Sequence, residues 1–290
     1  MTKKYLVTGG AGFIGSNLIE ILLKKENCHI TSLDNYSSGK RKNHIINNRV
    51  VYIKGSTKNI YKIFNKKKID KVFHLGEFSR IFLSFEKINE CLESNILGTL
   101  EVIKFCTKKK IPIVYSGSSS IFGNKMNDQN LSPYAWTKSK NIELIKNFAK
   151  WYKLKYVITY FYNVYGPRQI LKGKMSAVVG NFMNSYKKKK PLTIVKPGNY
   201  KRDFTHVNDI VAGCYIASKN INNSEYMLGT GKLTSIIELA KFFKHKIKFI
   251  PKRKGERLGN AANLKKGFKK INYKPTVNIK DYIEKFIKAK

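Results

Sequence analysis

At 290 residues and a net charge of +39, the chain can bury a core as one catalytic unit of two lobes, and no apolar run approaches bilayer-spanning length. The positive excess is nearly all Lys, with Arg only at Arg41, Arg49, Arg80, Arg168, Arg202, Arg253 and Arg257. It reads as a solvated surface, which disfavours nucleic-acid binding as the main function. Cys28, Cys91, Cys106 and Cys214 show no C-x-x-C pair and no adjacent His cluster. They read as reduced thiols with no metal, and a first strand so near the start leaves no room for a signal peptide, so a cytoplasmic protein is expected.

Tyr5 to Thr8 reads as a buried strand, and Gly9, Gly12 and Gly15 follow at three-residue spacing before an apolar helical run, Phe13 to Leu23. Such glycines serve a tight turn, an approach of bare backbone to a ligand, and close helix-strand packing. The helix start aims unpaired N–H groups and a positive dipole end over the turn. A pyrophosphate is the natural occupant, which makes Gly9, Gly12, Phe13, Ile14 and Gly15 candidate cofactor contacts. His29 to Leu33 forms a second strand ending at Asp34, whose carboxylate can accept both ribose hydroxyls and repel a 2′-phosphate, so NAD is favoured over NADP. Asn35 opens a loop over the cofactor.

Val50 to Lys54 is the third strand. After it Gly55-Ser56-Thr57 supplies only hydroxyls for the adenine end, with Ser56 the candidate contact. Lys71 to Leu75 is the fourth strand, and Leu75 and Gly76 at its end are placed beside the cofactor. Glu86 to Thr107 reads as one long helix from which Asn95 reaches the cofactor. Ile113 to Ser116 is the fifth strand, and Ser118 leaves its carboxyl end, where open α/β sheets bind ligands.

Ser132 then reads as an N-cap and Pro133 as a first-turn residue, so Tyr134 and Lys138 fall one turn apart on one helix face. A phenol with an unperturbed pKa of about 10 is a poor base at neutral pH. An ammonium one turn away and a helix N-terminus both favour the phenolate. With the Ser118 hydroxyl as positioner, these residues form an alcohol-oxidising set. The same Tyr-x-x-x-Lys spacing recurs at Tyr36/Lys40, Tyr186/Lys190 and Tyr215/Lys219. Only Tyr134 follows a strand-terminal Ser run and opens a capped helix.

Tyr156 to Tyr160 is a sixth strand, and the Gly166-Pro167 turn takes the chain toward a smaller lobe. The expected class is α/β, a Rossmann-type doubly wound parallel sheet with a smaller C-terminal α/β substrate lobe. Residues 1–165 form the dinucleotide domain, with 203–220 packing back on it; 166–202 and 221–290 form the substrate lobe.

Taken together, Thr8-Gly-Gly-Ala-Gly-Phe-Ile-Gly15, Asp34-Asn35, Ser118-Ser-Ser-Ile-Phe-Gly123, Pro133-Tyr-x-x-x-Lys138, Asn163-Val-Tyr-Gly-Pro-Arg168, Arg202-Asp-Phe-Thr-His-Val207 and Leu228-Gly-Thr-Gly231 resemble an extended short-chain dehydrogenase/reductase of the nucleotide-sugar epimerase/dehydratase family. The resemblance implies a bound NAD, Tyr134 as the base for a sugar hydroxyl, Lys138 on the nicotinamide ribose, and Ser118 as the hydroxyl partner. It implies Asn163, Arg202 and Arg253 on the diphosphate of a nucleotide-diphosphate sugar. In a chain with so few Arg, the guanidinium forks at Arg168, Arg202 and Arg253 suit bidentate phosphate contacts. It also implies a homodimer through the helices of 86–107 and 134–152.

Departures from the family patterns narrow the reaction. Ser119-Ser120 stands where the 4,6-dehydratases carry Asp-Glu and decarboxylating relatives a Glu, so epimerisation, most simply at C4, is favoured. Asn260 falls where relatives gate larger C2 substituents. Three alternatives stay open: an ADP-heptose 6-epimerase-like enzyme with Lys172 as second base, a net nucleotide-sugar dehydrogenase or reductase, and a nucleic-acid-binding relative. Glu77-Phe-Ser-Arg80 fits no pattern.

Overall fold

Successive side chains of β1 (Lys3–Thr8) point to opposite faces, and both faces are apolar: Tyr5 and Val7 enter one core cluster and Leu6 another. A strand with two apolar faces needs helices on both sides, the condition of a buried parallel sheet. The computed structural model, which describes residues 2–122, 130–252 and 271–289, meets it. Strands β2 (Cys28–Asp34), β3 (Val50–Lys54), β4 (Lys71–His74), β5 (Ile113–Ser118) and β6 (Tyr156–Phe161) pair in parallel with β1 or with one another.

Helix α1 (Phe13–Lys25) covers one face of this sheet, while α2 (Ile60–Phe64), α5 (Gly98–Lys109) and α6 (Pro133–Tyr152) cover the other. After α3 (Ile81–Glu86) the chain winds continuously from α4 (Ile88–Leu92) through a single π turn, Glu93–Leu97, into α5, so the helix expected over 86–107 is present with one irregular turn in it. Such one-turn π segments cluster at functional sites.

Beyond β6 lie β7 (Asn163–Tyr165), α7 (Val178–Lys187), β8 (Leu192–Val195), β9 (Lys201–Arg202), β10 (Phe204–His206) and α8 (Val207–Lys219). Val207, Ile210, Val211 and Cys214 of α8 share a core with Leu18, Ile19 and Leu22 of α1. The domain boundary needs one correction. β11 (Ser224–Leu228), expected in the smaller lobe, pairs in parallel with β6 and completes a seven-stranded sheet of order β11-β6-β5-β4-β1-β2-β3. Its apolar Tyr226 and Leu228 are buried in the main core, where alternation alone cannot say which sheet a strand joins.

The smaller lobe packs Val179 and Phe182 of α7 with Leu192 and Ile194 of β8. Leu239 of α9 (Ile236–Phe242) and Ile283 of the final described helix, Ile279–Lys288, complete that core. β12 (Thr234–Ser235) pairs with β9, and β13 (Ile247–Ile250) with β8. Asp203, fully buried between β9 and β10, accepts from Thr230 N at 2.9 Å, Thr230 Oγ1 at 2.7 Å and Gly231 N at 2.9 Å. The two motifs thus form one joint, with Arg202 on it. Among the described residues no helix is long and apolar enough to cross a membrane, and the four cysteines are buried free thiols.

Candidate active site

The strand order reverses between β1 and β4, and a cleft of about 1100 Å³ opens over the carboxyl ends of these strands. At its floor Gly9 holds a left-handed φ of +73°, and a Cβ on Gly15 would stand 2.2 Å from the Gly9 carbonyl oxygen. Gly12 precedes α1 and offers no side-chain cap, so the first N–H groups of that helix are left for a ligand. Asp34, 7% exposed, accepts from Ala11 N at 3.0 Å and Tyr36 N at 2.8 Å. Burial raises its pKa, against those backbone donors. Phe13, Ile14, Asn35, Ser56, Leu75 and Gly76 line the same end. Bare backbone, an uncapped helix start and a carboxylate at the end of β2 fit a dinucleotide.

The reacting wall comes from β5 and α6. The Ser132 hydroxyl accepts from Ala135 N at 3.1 Å, and Pro133 opens the helix, so Tyr134 and Lys138 face the cleft together with Ser118. Ser118 Oγ accepts from Ser120 N at 3.2 Å, which leaves its proton for a ligand. Asn163 and Arg202 line the far end of the cleft. Arg202 lies over the Tyr200 ring at 5.8 Å, with Nη1 donating to the Lys201 carbonyl at 2.8 Å.

Two residues stand elsewhere. Asn95, expected to reach the cofactor, is fully buried and does not line the cleft: its Oδ1 accepts from Phe78 N at 2.7 Å, and its Nδ2 donates to Thr137 Oγ1 at 3.0 Å. Arg168, read as a phosphate ligand, donates to Asn17 Oδ1 at 2.7 Å and pairs with Glu20 on α1. Arg253, Gly123 and Asn260 lie outside the described residues. Lys172 is exposed and does not line the cleft.

One residue was missed by the sequence reading. Glu77, next after Gly76, forms a buried ion pair with Lys138, the two side chains being 2% and 5% exposed. Its Oε1 accepts from Thr99 Oγ1 at 3.0 Å, Tyr115 OH at 2.9 Å and Asn141 Nδ2 at 2.9 Å. Asn141 Nδ2 also donates to the Asn95 carbonyl at 2.8 Å. Behind Thr99 lies His74, its Nε2 2.9 Å from Thr99 Oγ1 and its Nδ1 2.7 Å from Thr8 Oγ1. Thr8 Oγ1 already accepts from Leu75 N and Gly76 N, so its proton goes to Nδ1 and the imidazole carries its own on Nε2. Burial lowers the His74 pKa to about 4. The available signal was an acid three residues past a strand end, in a chain holding 18 acidic against 57 basic residues.

A profile of the NAD dependent epimerase/dehydratase family matches residues 5–229. The chain belongs to that family. A Methanocaldococcus jannaschii protein provisionally named UDP-glucose 4-epimerase is 31% identical, covering 97% of this chain and 96% of its own. The Thermotoga maritima UDP-glucose 4-epimerase with UDP-glucose superposes with a TM-score of 0.92 at 26% identity, over 98% of this chain and 97% of that one. A Bacillus cereus UDP-glucuronic acid 4-epimerase, in complex with UDP-glucuronic acid and NAD, gives 0.90 at 26% identity over 99% of both chains. As in the rest of this epimerase/dehydratase family, the cofactor is NAD.

Proposed function

We propose that the protein is an NAD-dependent nucleotide-sugar epimerase that oxidises a sugar hydroxyl, at C4, and reduces the ketone from the other face. The observation that carries this reading is one cleft joining the glycine turn, Asp34, the Ser118–Tyr134–Lys138 wall, and Asn163 with Arg202. NAD, when bound, accepts hydride from the carbinol carbon and returns it. The residues of the chain do the rest. The Tyr134 oxygen takes the hydroxyl proton as the carbon is oxidised and gives it back on reduction. Ser118 donates to the reacting oxygen and holds it, while Asn163 and Arg202 retain the diphosphate so the flat ketone can turn without leaving.

The C4 assignment is supported by the similarity to proteins named as 4-epimerases. Ser119 and Ser120, both buried, offer no carboxyl for dehydration or decarboxylation. Incubation of the NAD-loaded protein with UDP-, GDP- and ADP-sugars, read by proton NMR, should show interconversion of one C4 pair. Tyr134→Phe should lower kcat by about 10²- to 10⁴-fold with NAD still bound; a rate near wild type would remove Tyr134 as the base.

The same reading includes a homodimer in the cytoplasm. Its support is the exposed apolar side chains on the helices following β4 and on α6, with Ile88 47%, Leu97 52% and Trp136 39% exposed.

A further inference from the structure

Burying a carboxylate and an ammonium is costly unless every lone pair and proton finds a partner, and here nearly all do. Glu77 Oε1 takes three donors from α5, β5 and α6, at 3.0, 2.9 and 2.9 Å, while Oε2 takes the Lys138 ammonium. The lysine is equally constrained. Its Nζ also donates to the Ser116 carbonyl at 2.6 Å, and lies 4.7 Å from the Tyr115 ring centroid. An ammonium has three donors. Two are spent inside the protein, and a tetrahedral nitrogen leaves a single direction for the third. Lys138 lines the cleft beside Tyr134 and Gly76.

We propose that Glu77 is a positioning residue for the oxidation step: it clamps Lys138 so that one N–H faces the cofactor ribose, and it offsets the lysine charge beside Tyr134. This rests on the epimerase reading of the cleft. The clamp is anchored to the glycine turn, because Thr99 connects Glu77 to His74 and His74 connects to Thr8. The titratable groups facing it are His74 of β4, Tyr115 of β5, Cys91 of α4 and Lys138 of α6, with Tyr134 facing Tyr115 beyond them. Arg80, whose Nε donates to the Met175 carbonyl at 2.5 Å, faces Tyr134 from the loop after β4. Cys91 and Tyr115 are held neutral by burial, which raises their pKa values, and His74 by burial, which lowers its own. Glu77 is therefore the acid that sets the charge next to Lys138.

Glu77→Gln keeps the shape and removes the charge, whereas Glu77→Asp keeps the charge. Ultraviolet titration of phenolate in the NAD-loaded protein, with the Tyr134→Phe signal subtracted in each background, isolates that one phenol without any sugar. Losing a carboxylate near a phenol favours its phenolate. The Tyr134 signal in Glu77→Gln should therefore titrate below that of wild type, with the acid limb of the kcat/KM profile moving the same way. Glu77→Asp should titrate with the wild type. Coincident titrations of wild type and Glu77→Gln would overturn the proposal, since a purely structural carboxylate would change melting alone. The wild-type NAD complex is a second measurement if Glu77→Gln does not fold. Lys138 should keep Glu77 and Ser116 while its third N–H reaches the ribose; a lysine that swings off Glu77 overturns the proposal. A displaced titration without any sugar turnover would support the clamp and fault the substrate reading.

Discussion

His74 is held at 0% exposure between two threonine hydroxyls, and its neutral form is the one the core accepts. Its folded pKa of about 4 lies below the ordinary imidazole value of about 6.5, so between those limits the unfolded chain binds the extra proton. Stability from this site is fully present above about pH 6.5 and is lost as pH falls toward 4, by roughly 3 kcal/mol in all. Urea unfolding at several pH values should show this loss, and His74→Gln should flatten it. Equal pH dependence in both proteins would count against the buried neutral imidazole. Ser118, Tyr134 and Lys138 were legible in the sequence because a strand-terminal Ser run and a capped helix are local features. Glu77 was not, since its partners arrive from β5, α5 and α6 and no spacing along the chain announces them.

The same division holds among the elements. β1 and α1 were readable because apolar runs and glycine spacing act over a dozen residues. Gly15→Ala tests that reading: its Cβ would meet the Gly9 carbonyl at 2.2 Å, tighter than any real contact. The variant should lose tight NAD binding and melt several degrees lower, as overpacking costs about 1–3 kcal/mol. NAD titration calorimetry and thermal melting check both. The π turn was illegible, because the apolar pattern of 86–107 runs through it without a glycine or proline inside Glu93–Leu97. β11 was misassigned for a different reason. Its partner β6 is distant in sequence, and strand pairing is a tertiary choice.

For the molecule as a whole, the charge of +39 is offset by few internal pairs. Lys24–Glu20, Lys87–Glu90 and Lys140–Glu143 are all surface contacts, worth about 0–1 kcal/mol each. If the protein pairs through the π turn and α6, Leu97→Glu and Trp136→Glu should each shift sedimentation from dimer to monomer. A wild type that sediments as a monomer at working concentration would remove the pairing. The seven-stranded sheet was legible in class and in six of its strands, and the two lobes in outline. The joint made by Asp203 was not, because a buried acid looks like any other in sequence.

The π turn ties chain length to chemistry. The Asn95 carbonyl within it holds Asn141, and Asn141 in turn serves Glu77. Deleting one residue from 93–97 would restore even winding and still withdraw that carbonyl, leaving the acid short of a donor. Regularity and competence are therefore at odds in this stretch.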